Sequence, residues 1–570
     1  MAQSKCSSHL LVAAFDFGTT YSGYAFSFRD DPLKVQTNQG WNAGSEKLIS
    51  LKTPTCVLLN NKGEFHSFGF EAENKYASLA EDDEHHGWML FRRFKMLLHN
   101  NQELSRKTLV DDINGKSKPA MTIFSMSIRY LRDHLLKELN NRTTGIEETD
   151  IKYVITVPAI WNDNAKQFMR EAAEQADTDT SRLKLAWEPE AASIWCQIIK
   201  TEAKCALSGA ETKYMVVDLG GGTADISVHE KCEDGTLKEL HKTSGGPWGG
   251  MYVDQNYFKW LESCYGQRAL ERLKVEEMVN YFDLLREFET KKRSVTSNSE
   301  EMVSFRVSAS LKEMSEDEEN TTLQDRLAAL NMRGKVTVKR DRMRIDPSIV
   351  RSWFDEPIDY VIQHMNEILA EPQMGAVTSI LLVGGFGEST YVQDTIRKAF
   401  AKKRVIVPEE AGLAVLKGAV RFGHEPDIVS ARVMRYTYGI AGTLPFDPSK
   451  HLLSKKKLVN GKETAKDIFG IFVSLGETLA PGHVVTHTCT PNYFDKSILP
   501  IYCSTDPHPV YVTDATCKKL GRLWIKHKEG ETLEDKQFSI SFIFGDTEII
   551  VKAIIKKTCQ DFFTTIDFLT

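Results

Sequence analysis

The chain has 570 residues, 41% of them hydrophobic and 26% charged, a composition ordinary for a soluble globular protein. At about 100–200 residues per domain, this length predicts about three or four folding units rather than one core. Lys and Arg number 72 against 78 Asp and Glu, a net charge of −6, so no global basic field recruits nucleic acid or an anionic membrane.

No apolar run reaches the ~18–20 residues needed to cross a bilayer. The N-terminal run Leu10–Phe15 is short and is interrupted by Asp16, unlike a signal peptide. Ten cysteines, from Cys6 to Cys559, are widely spaced without a Cys-x-x-Cys, which predicts reduced thiols and a cytoplasmic location rather than a disulfide framework or a zinc site. The adjacent His85 and His86 are expected to point apart on a solvated surface.

In chain order, two stretches share one pattern. Leu11–Phe28 and Tyr214–Val228 each read as an apolar strand, an Asp, a Gly/Thr turn and a second strand. Their separation predicts two related halves, each opening with a β-hairpin. Lys152–Val157 reads as a strand stopped by Pro158, followed by a helix capped at Asn162 or Asp163 and running to about Ala176. Glu188-Pro189-Glu190 opens another helix, with Pro189 in the first turn where its missing N–H is not needed. A long amphipathic helix is expected around Val275–Arg293, and an acidic surface loop at Ser315–Asn320. Ser379–Val383 is a buried strand ending in Gly384-Gly385, followed by a helix over about Ser389–Lys402. Strands alternating with helices imply α/β layers. After Gly423 the texture becomes short alternating strands, including Ile468–Val473, His483–Thr488, Leu499–Cys503, Phe538–Phe544 and Glu548–Ile555, which predicts a separate all-β sandwich.

The two hairpins carry the parts that polyphosphate with Mg²⁺ requires. Gly18 and Gly220–Gly222 let backbone N–H groups approach phosphate closely, and Thr19, Thr20 and Thr223 add hydroxyls. Asp16 and Asp218 at the strand ends are placed to hold the waters of Mg²⁺, a cation that dehydrates reluctantly. The Gly-rich run is neither a P-loop nor a dinucleotide fingerprint.

On these residues the sequence resembles the actin-like ATPase superfamily, specifically the seventy-kilodalton heat-shock chaperones. The motifs are Phe15-Asp-Phe-Gly-Thr-Thr-Tyr21, Val154-Ile-Thr-Val-Pro-Ala159, Trp187-Glu-Pro-Glu-Ala-Ala192, Val217–Asp225, Gly249-Gly250 and Leu382–Gly387. Phe94-Lys95-Met96 and Arg435–Gly439 favour that family's divergent member-12 branch. The resemblance spans essentially the whole chain. It implies a two-lobed, ribonuclease H-like ATPase domain (lobe I 9–211, lobe II 212–425) and a β-sandwich at 430–570 like a lidless substrate-binding domain. It also implies ATP/ADP and Mg²⁺ as cofactors, and a stress-response chaperone role.

Residue by residue, the resemblance places Asp16, Gly18, Thr19, Thr20 and Tyr21 at one phosphate hairpin, and Asp218, Gly220, Gly221, Gly222 and Thr223 at the other. Gly249 and Gly250 join the nucleotide site. Lys95 corresponds to a lysine beside the γ-phosphate that positions the attacking water. Glu188 matches a carboxylate near the metal's water shell, alongside Asp16 and Asp218, and Asp225 one that orders the nucleophilic water or the metal shell. Glu289, Lys292 and Arg293 match the helix that holds ribose and stacks on adenine, and Gly384 and Gly385 the turn under the adenosine. Pro158 and Lys166 match a pair that relays nucleotide state to the substrate domain.

Departures from the chaperone pattern are visible at several points. Glu388 lies where a second adenine-stacking arginine belongs, and Phe386, in place of a small hydroxyl residue, is expected to pack on the adenine ring. Ser430–Met434 replaces the leucine-rich acidic linker. The sequence runs to Thr570 without a helical lid or acidic C-terminal tetrapeptide, so fast peptide exchange is expected, and no co-chaperone that reads such a tail. The expected function is ATP binding with weak hydrolysis, coupled by cleft closure to a client or partner protein on the β-domain. The alternative is a nucleotide-switched signalling or immune adaptor with little chaperone or ATPase activity.

Overall fold

The computed structural model describes residues 9–38, 40–42, 49–198, 209, 211–459, 461–490, 496–526, 532, 536–544, 547–556, 560–564 and 568–569. Cys6, Cys205 and Cys559 lie outside them; the described cysteines are free thiols. Among the described residues, no helix is long and apolar enough to cross a membrane.

The strand Leu11–Phe17 is buried along its whole length, as its unbroken apolar run around Asp16 requires. It pairs antiparallel with Tyr21–Phe28 on one side and parallel with Ile151–Val157 on the other, and Leu183–Trp187 extends the sheet in parallel. The second hairpin repeats this arrangement. Lys213–Leu219 pairs antiparallel with Ala224–Lys231 and parallel with Ser379–Val383, and Arg404–Ile406 adds the next parallel strand. The doubling expected from two similar sequences is therefore a doubling of topology, with Asp16 and Asp218 each near the turn end of an equivalent strand.

Local sequence signals set the helices that frame the hairpins. Asn162 Oδ1 accepts the Ala165 N–H at 2.9 Å and caps the helix Asp163–Gln175. Glu188–Cys196 starts with Pro189 in its first turn, as expected. The helix Ala411–His424, reached from the second sheet, lies across the first. A Cβ at Gly418 would fall 1.7 Å from the Ala191 carbonyl oxygen, and one at Gly423 would fall 2.4 Å from Val12 Cγ1. These two glycines thus let this helix approach the first half closely.

Three expectations are corrected. Ser315–Asn320 is not a loop: the helix Ala309–Glu319 covers it, ending at Asn320 in the left-handed region, φ +51°. Leu311 and Met314 anchor that helix in the core, so the acidic residues form the outer turns of a packed element. The long helix at Val275–Arg293 is two, Gln267–Glu276 and Met278–Lys292, broken at Glu277. The helix after Ser389 is also shorter than expected, Thr390–Ala399.

Beyond Gly423, Val429–Val433 joins the edge of the second sheet, parallel to Leu237–Gly246. Two further sheets follow. One orders Lys456–Val459, Lys462–Val473, Thr437–Pro445, Lys496–Ser504 and Cys517–Lys526; the other orders His483–Cys489, Phe538–Phe544, Ile550–Ile555 and Gln560–Thr564. Tyr438, Phe472 and Ile501 from the first share one core with Ile540, Phe542 and Val551 from the second. Burial alternates residue by residue along Phe538–Phe544, so one face of that strand points into this core.

Candidate functional site

The turns of the two hairpins meet. A Cβ at Gly222 would lie 2.7 Å from Thr19 Oγ1 and 2.3 Å from Met96 Sδ; one at Gly221 would lie 2.3 Å from Thr20 Oγ1. Above this meeting point is a cavity of about 640 Å³. Every residue assigned to the site from sequence lines it except Gly249 and Asp225, which stand behind the wall. The Gly249 N–H donates to the Gly222 carbonyl and the Gly250 N–H to that of Gly220, at 3.3 and 3.1 Å, bracing the glycine turn from behind. Asp225 is fully buried; its Oδ1 accepts the Ile160 N–H at 3.0 Å, while Oδ2 makes no hydrogen bond among the described residues.

The floor of the cavity is acidic. Asp16 Oδ1 accepts the Thr156 hydroxyl at 3.1 Å, and Oδ2 accepts Lys52 Nζ at 2.6 Å. Burial, reinforced by Glu188, Asp225 and Asp16, holds the Asp218 carboxyl well above the usual carboxylate range. Burial also pushes Glu188 up to about 7 against the pull of Lys95, with Asp225 and Asp16 adding to the rise. Lys95 sits on a short 3₁₀ turn, Phe94–Leu98, and is 2% exposed. It is no surface lysine: its Nζ reaches Glu188 Oε1 at 2.8 Å and lies 5.2 Å from the Trp161 ring.

The opposite wall is formed by the helix Met278–Lys292 and the turn after Ser379–Val383. The Arg293 guanidinium lies 4.8 Å from the Tyr21 ring and pairs with Glu289 at 2.8 Å. Lys292 reaches both Glu289 and Asp254, and Arg93 pairs with Asp254 from the first half, tying the halves together across the cleft. Burial opposes ionisation of Glu289, yet Lys292 and Arg293 hold its carboxyl at about 2. Gly384 has φ +86°, and a Cβ there would lie 2.4 Å from both Asp218 Oδ1 and the Leu219 carbonyl oxygen, so only glycine fits. Gly385 next to it is exposed on the cavity wall. Phe386 is 8% exposed, with its ring 6.2 Å from that of Phe354. Glu388 accepts the Gly412 N–H at 2.9 Å, which fixes the start of the helix Ala411–His424 rather than offering a stacking cation.

Sequence reasoning missed Lys52, whose Nζ bridges Asp16 and the Gly412 carbonyl, each at 2.6 Å, and missed the Glu409–Gly412 rim. Lys52 lies between two-residue strands in an irregular stretch, so no periodic signal marks it.

The family comparison decides what this cleft belongs to. The family profile described as "Hsp70 protein" matches residues 15–444. The chain belongs to the Hsp70 family. It is 32% identical to Heat shock 70 kDa protein 12A of Homo sapiens, an alignment covering 99% of this chain and 92% of that relative. Heat shock 70 kDa protein 12B of Homo sapiens is 31% identical over the same shares, which bears out the resemblance to the member-12 branch. Chaperone protein DnaK of Mycoplasmopsis synoviae is 26% identical over 57% of this chain and 49% of its own length. The second hairpin lies wholly inside the Hsp70 match, and the first does so from Phe15 onward.

The segment standing in for the usual Hsp70 linker is a built-in strand. Arg432 within it is buried against Glu190, and the Val433 N–H donates to Glu239 at 2.8 Å. Lys166 pairs with Asp163 at 3.3 Å and lies 5.4 Å from the Trp187 ring; Asp163 also accepts the Tyr438 hydroxyl at 3.2 Å. Arg435 donates to the Ala159 carbonyl, next to Pro158. The Pro158–Lys166 stretch is therefore in direct contact with the start of the C-terminal β region.

Proposed function

We propose that the chain is an ATP-binding, weakly ATP-hydrolysing, chaperone-like protein in which closure of the cleft is read by a lidless β-sandwich that holds a client or partner protein. In this reading lobe I is 9–211, lobe II 212–425 and the sandwich 430–570. The observation that carries it is the convergence of both hairpin turns, the carboxylates of Asp16, Glu188 and Asp218, and Lys95 on one cavity, in a chain of the Hsp70 family.

The donor set fits Mg²⁺ with a nucleotide. Asp16, Glu188, Asp218 and Asp225 lie close together, with Lys52 on Asp16, Lys95 on Glu188 and Arg435 near Asp225 as compensating cations, fewer cations than carboxylates, which favours a divalent ion. All the donors are oxygens, the set that suits Mg²⁺. Bound Mg²⁺ would supply the charge that offsets the β- and γ-phosphate oxygens.

The chain's own residues then have distinct tasks. The turn N–H groups at Gly18–Thr20 and Gly220–Thr223, with their threonine hydroxyls, bind phosphate oxygens. Asp16, Asp218 and Glu188 hold the metal's waters. Lys95 orients the attacking water and offsets charge developing on the γ-phosphoryl group during in-line transfer to water. Asp225, behind the wall, holds the Ile160 N–H in the stretch that follows Pro158. Glu289 and Lys292 hold the ribose, Arg293 stacks on the adenine, and Gly384, Gly385 and Phe386 form its bed.

Titration calorimetry with MgATP tests this reading. The wild type should bind saturably and in competition with ADP, and Asp218→Asn should weaken binding by at least about tenfold. Absence of competition by ADP, or equal affinity in the variant, would refute it.

A further inference from the structure

A second cluster of ligand side chains lies outside the cleft, at the turn that follows the helix Gly69–Glu81. Asp83 adopts the left-handed region, φ +56°, and His85–Gly87 winds one 3₁₀ turn before the strand Met89–Arg92. This reversal brings side chains together that a straight chain would separate. His86 Nε2 lies 3.0 Å and His85 Nδ1 4.0 Å from Asp83 Oδ1, and all three ligand atoms fall within 4.8 Å of one another. The two imidazole rings are 4.3 Å apart and inclined by only 35°, so the expectation that adjacent histidines point apart fails at this turn.

The decisive member is His85. It is 5% exposed, lies edge-on to the Tyr76 ring at 5.8 Å, and its Nδ1 is buried without a hydrogen bond among the described residues. A buried ring nitrogen ordinarily finds a partner. Here the unsatisfied atom faces a carboxylate at 4.0 Å, beyond hydrogen-bond reach but across a gap of the width a cation spans. Tetrahedral Zn²⁺ with N and O ligands at ~2.0–2.2 Å separates ligand atoms by about 3.3 Å. The observed 3.0 and 4.0 Å bracket that value.

We infer that Asp83, His85 Nδ1 and His86 Nε2 form a binding site for a zinc-class transition-metal ion, with water completing the coordination. Two imidazoles and one carboxylate are a zinc-type donor set, unlike the all-oxygen cleft. The site ties the end of the helix Gly69–Glu81 to the strand that leads into Arg93 and Lys95. None of its three residues lines the cleft.

Equilibrium dialysis of ZnCl₂ against the full chain without nucleotide tests this. His86→Ala and Asp83→Asn change side chains that are 67% and 83% exposed, so both variants should fold. The wild type should take up one more tightly bound Zn²⁺ than either variant, and ZnCl₂ should raise its melting temperature but not theirs. His85→Ala should lose the same ion; if it fails to fold, the two exposed variants decide the matter. Zinc uptake that is the same in wild type, His86→Ala and Asp83→Asn would place any bound zinc on other ligands and overturn the proposal, as would no uptake by the wild type.

Discussion

Arg432 grips Glu190 with two parallel hydrogen bonds, Nε to Oε1 at 2.7 Å and Nη2 to Oε2 at 2.8 Å, and neither side chain is more than 4% exposed. Glu190 stands two residues after Glu188, which lines the cleft, on the same helix. Arg432 belongs to the strand that leads into the C-terminal β region. Its guanidinium also lies 4.9 Å from the Trp187 ring, one residue before Glu188. A change in the position of this helix on nucleotide binding would therefore be felt by the strand without any intervening loop.

Breaking that pair should be costly. Arg432→Ala leaves the Glu190 carboxylate buried and uncompensated, and the expected loss of stability is about 3–5 kcal/mol, read from denaturant unfolding. Arg432→Lys keeps the charge but not the planar fork, and should recover only part of the loss. A loss below about 1 kcal/mol for Arg432→Ala would mean that the pair is solvated and does not join the strand to the cleft.

The dependence of stability on pH follows from raised carboxyls. Glu188 and Glu239 are each held at about 7, Glu188 first by burial and Glu239 by burial and then by Glu190. Against an unfolded value of about 4.3, the folded state binds more protons in between. Their stabilisation is thus full below that range and is lost as pH rises through about 7, at up to about 1.4 kcal/mol per pH unit for each group. Melting temperatures of the nucleotide-free protein should fall from pH 5 to pH 7.5. Glu239→Gln should flatten the fall, and Mg²⁺ with ATP should reduce it by favouring ionised Glu188. A flat or rising profile would contradict this assignment.

Much of the cleft is legible in the sequence because the glycine-threonine turns that line it are local. Asp16, Gly18 and Thr19 occupy neighbouring positions, so their chemistry can be read without the fold. Lys52, Arg432 and the Glu409–Gly412 rim are not legible, since each acts through a partner distant in sequence: Lys52 with Gly412, Arg432 with Glu190. The acidic stretch Ser315–Asn320 misleads for a related reason. Its charges suggest a solvated loop, but Ser315 is fully buried and the helix is held by Leu311 and Met314. The break at Glu277 is likewise invisible to periodicity, because the apolar pattern continues on both sides of the residue that leaves helical backbone angles.

Phe386 tests the proposed adenine bed. It packs against Phe354 and lines the cleft where Glu388 offers no stacking cation. Phe386→Ala should weaken ATP and ADP equally, by about 0.5–1.5 kcal/mol, the worth of an aromatic contact beyond area burial. Inorganic triphosphate, lacking the base, should bind both proteins alike. Unchanged nucleotide affinity would place the adenine elsewhere.

The proposed hydrolysis of ATP in the cleft rests on Lys95 and the acidic floor. Single-turnover hydrolysis of ATP with Mg²⁺ by wild type, Lys95→Ala and Asp218→Asn measures this directly. Slow hydrolysis by the wild type is expected, with a fall of about 10²-fold or more in each variant and Lys95→Ala still binding nucleotide. Tight ATP binding without turnover in the wild type, or undiminished turnover in both variants, would contradict it.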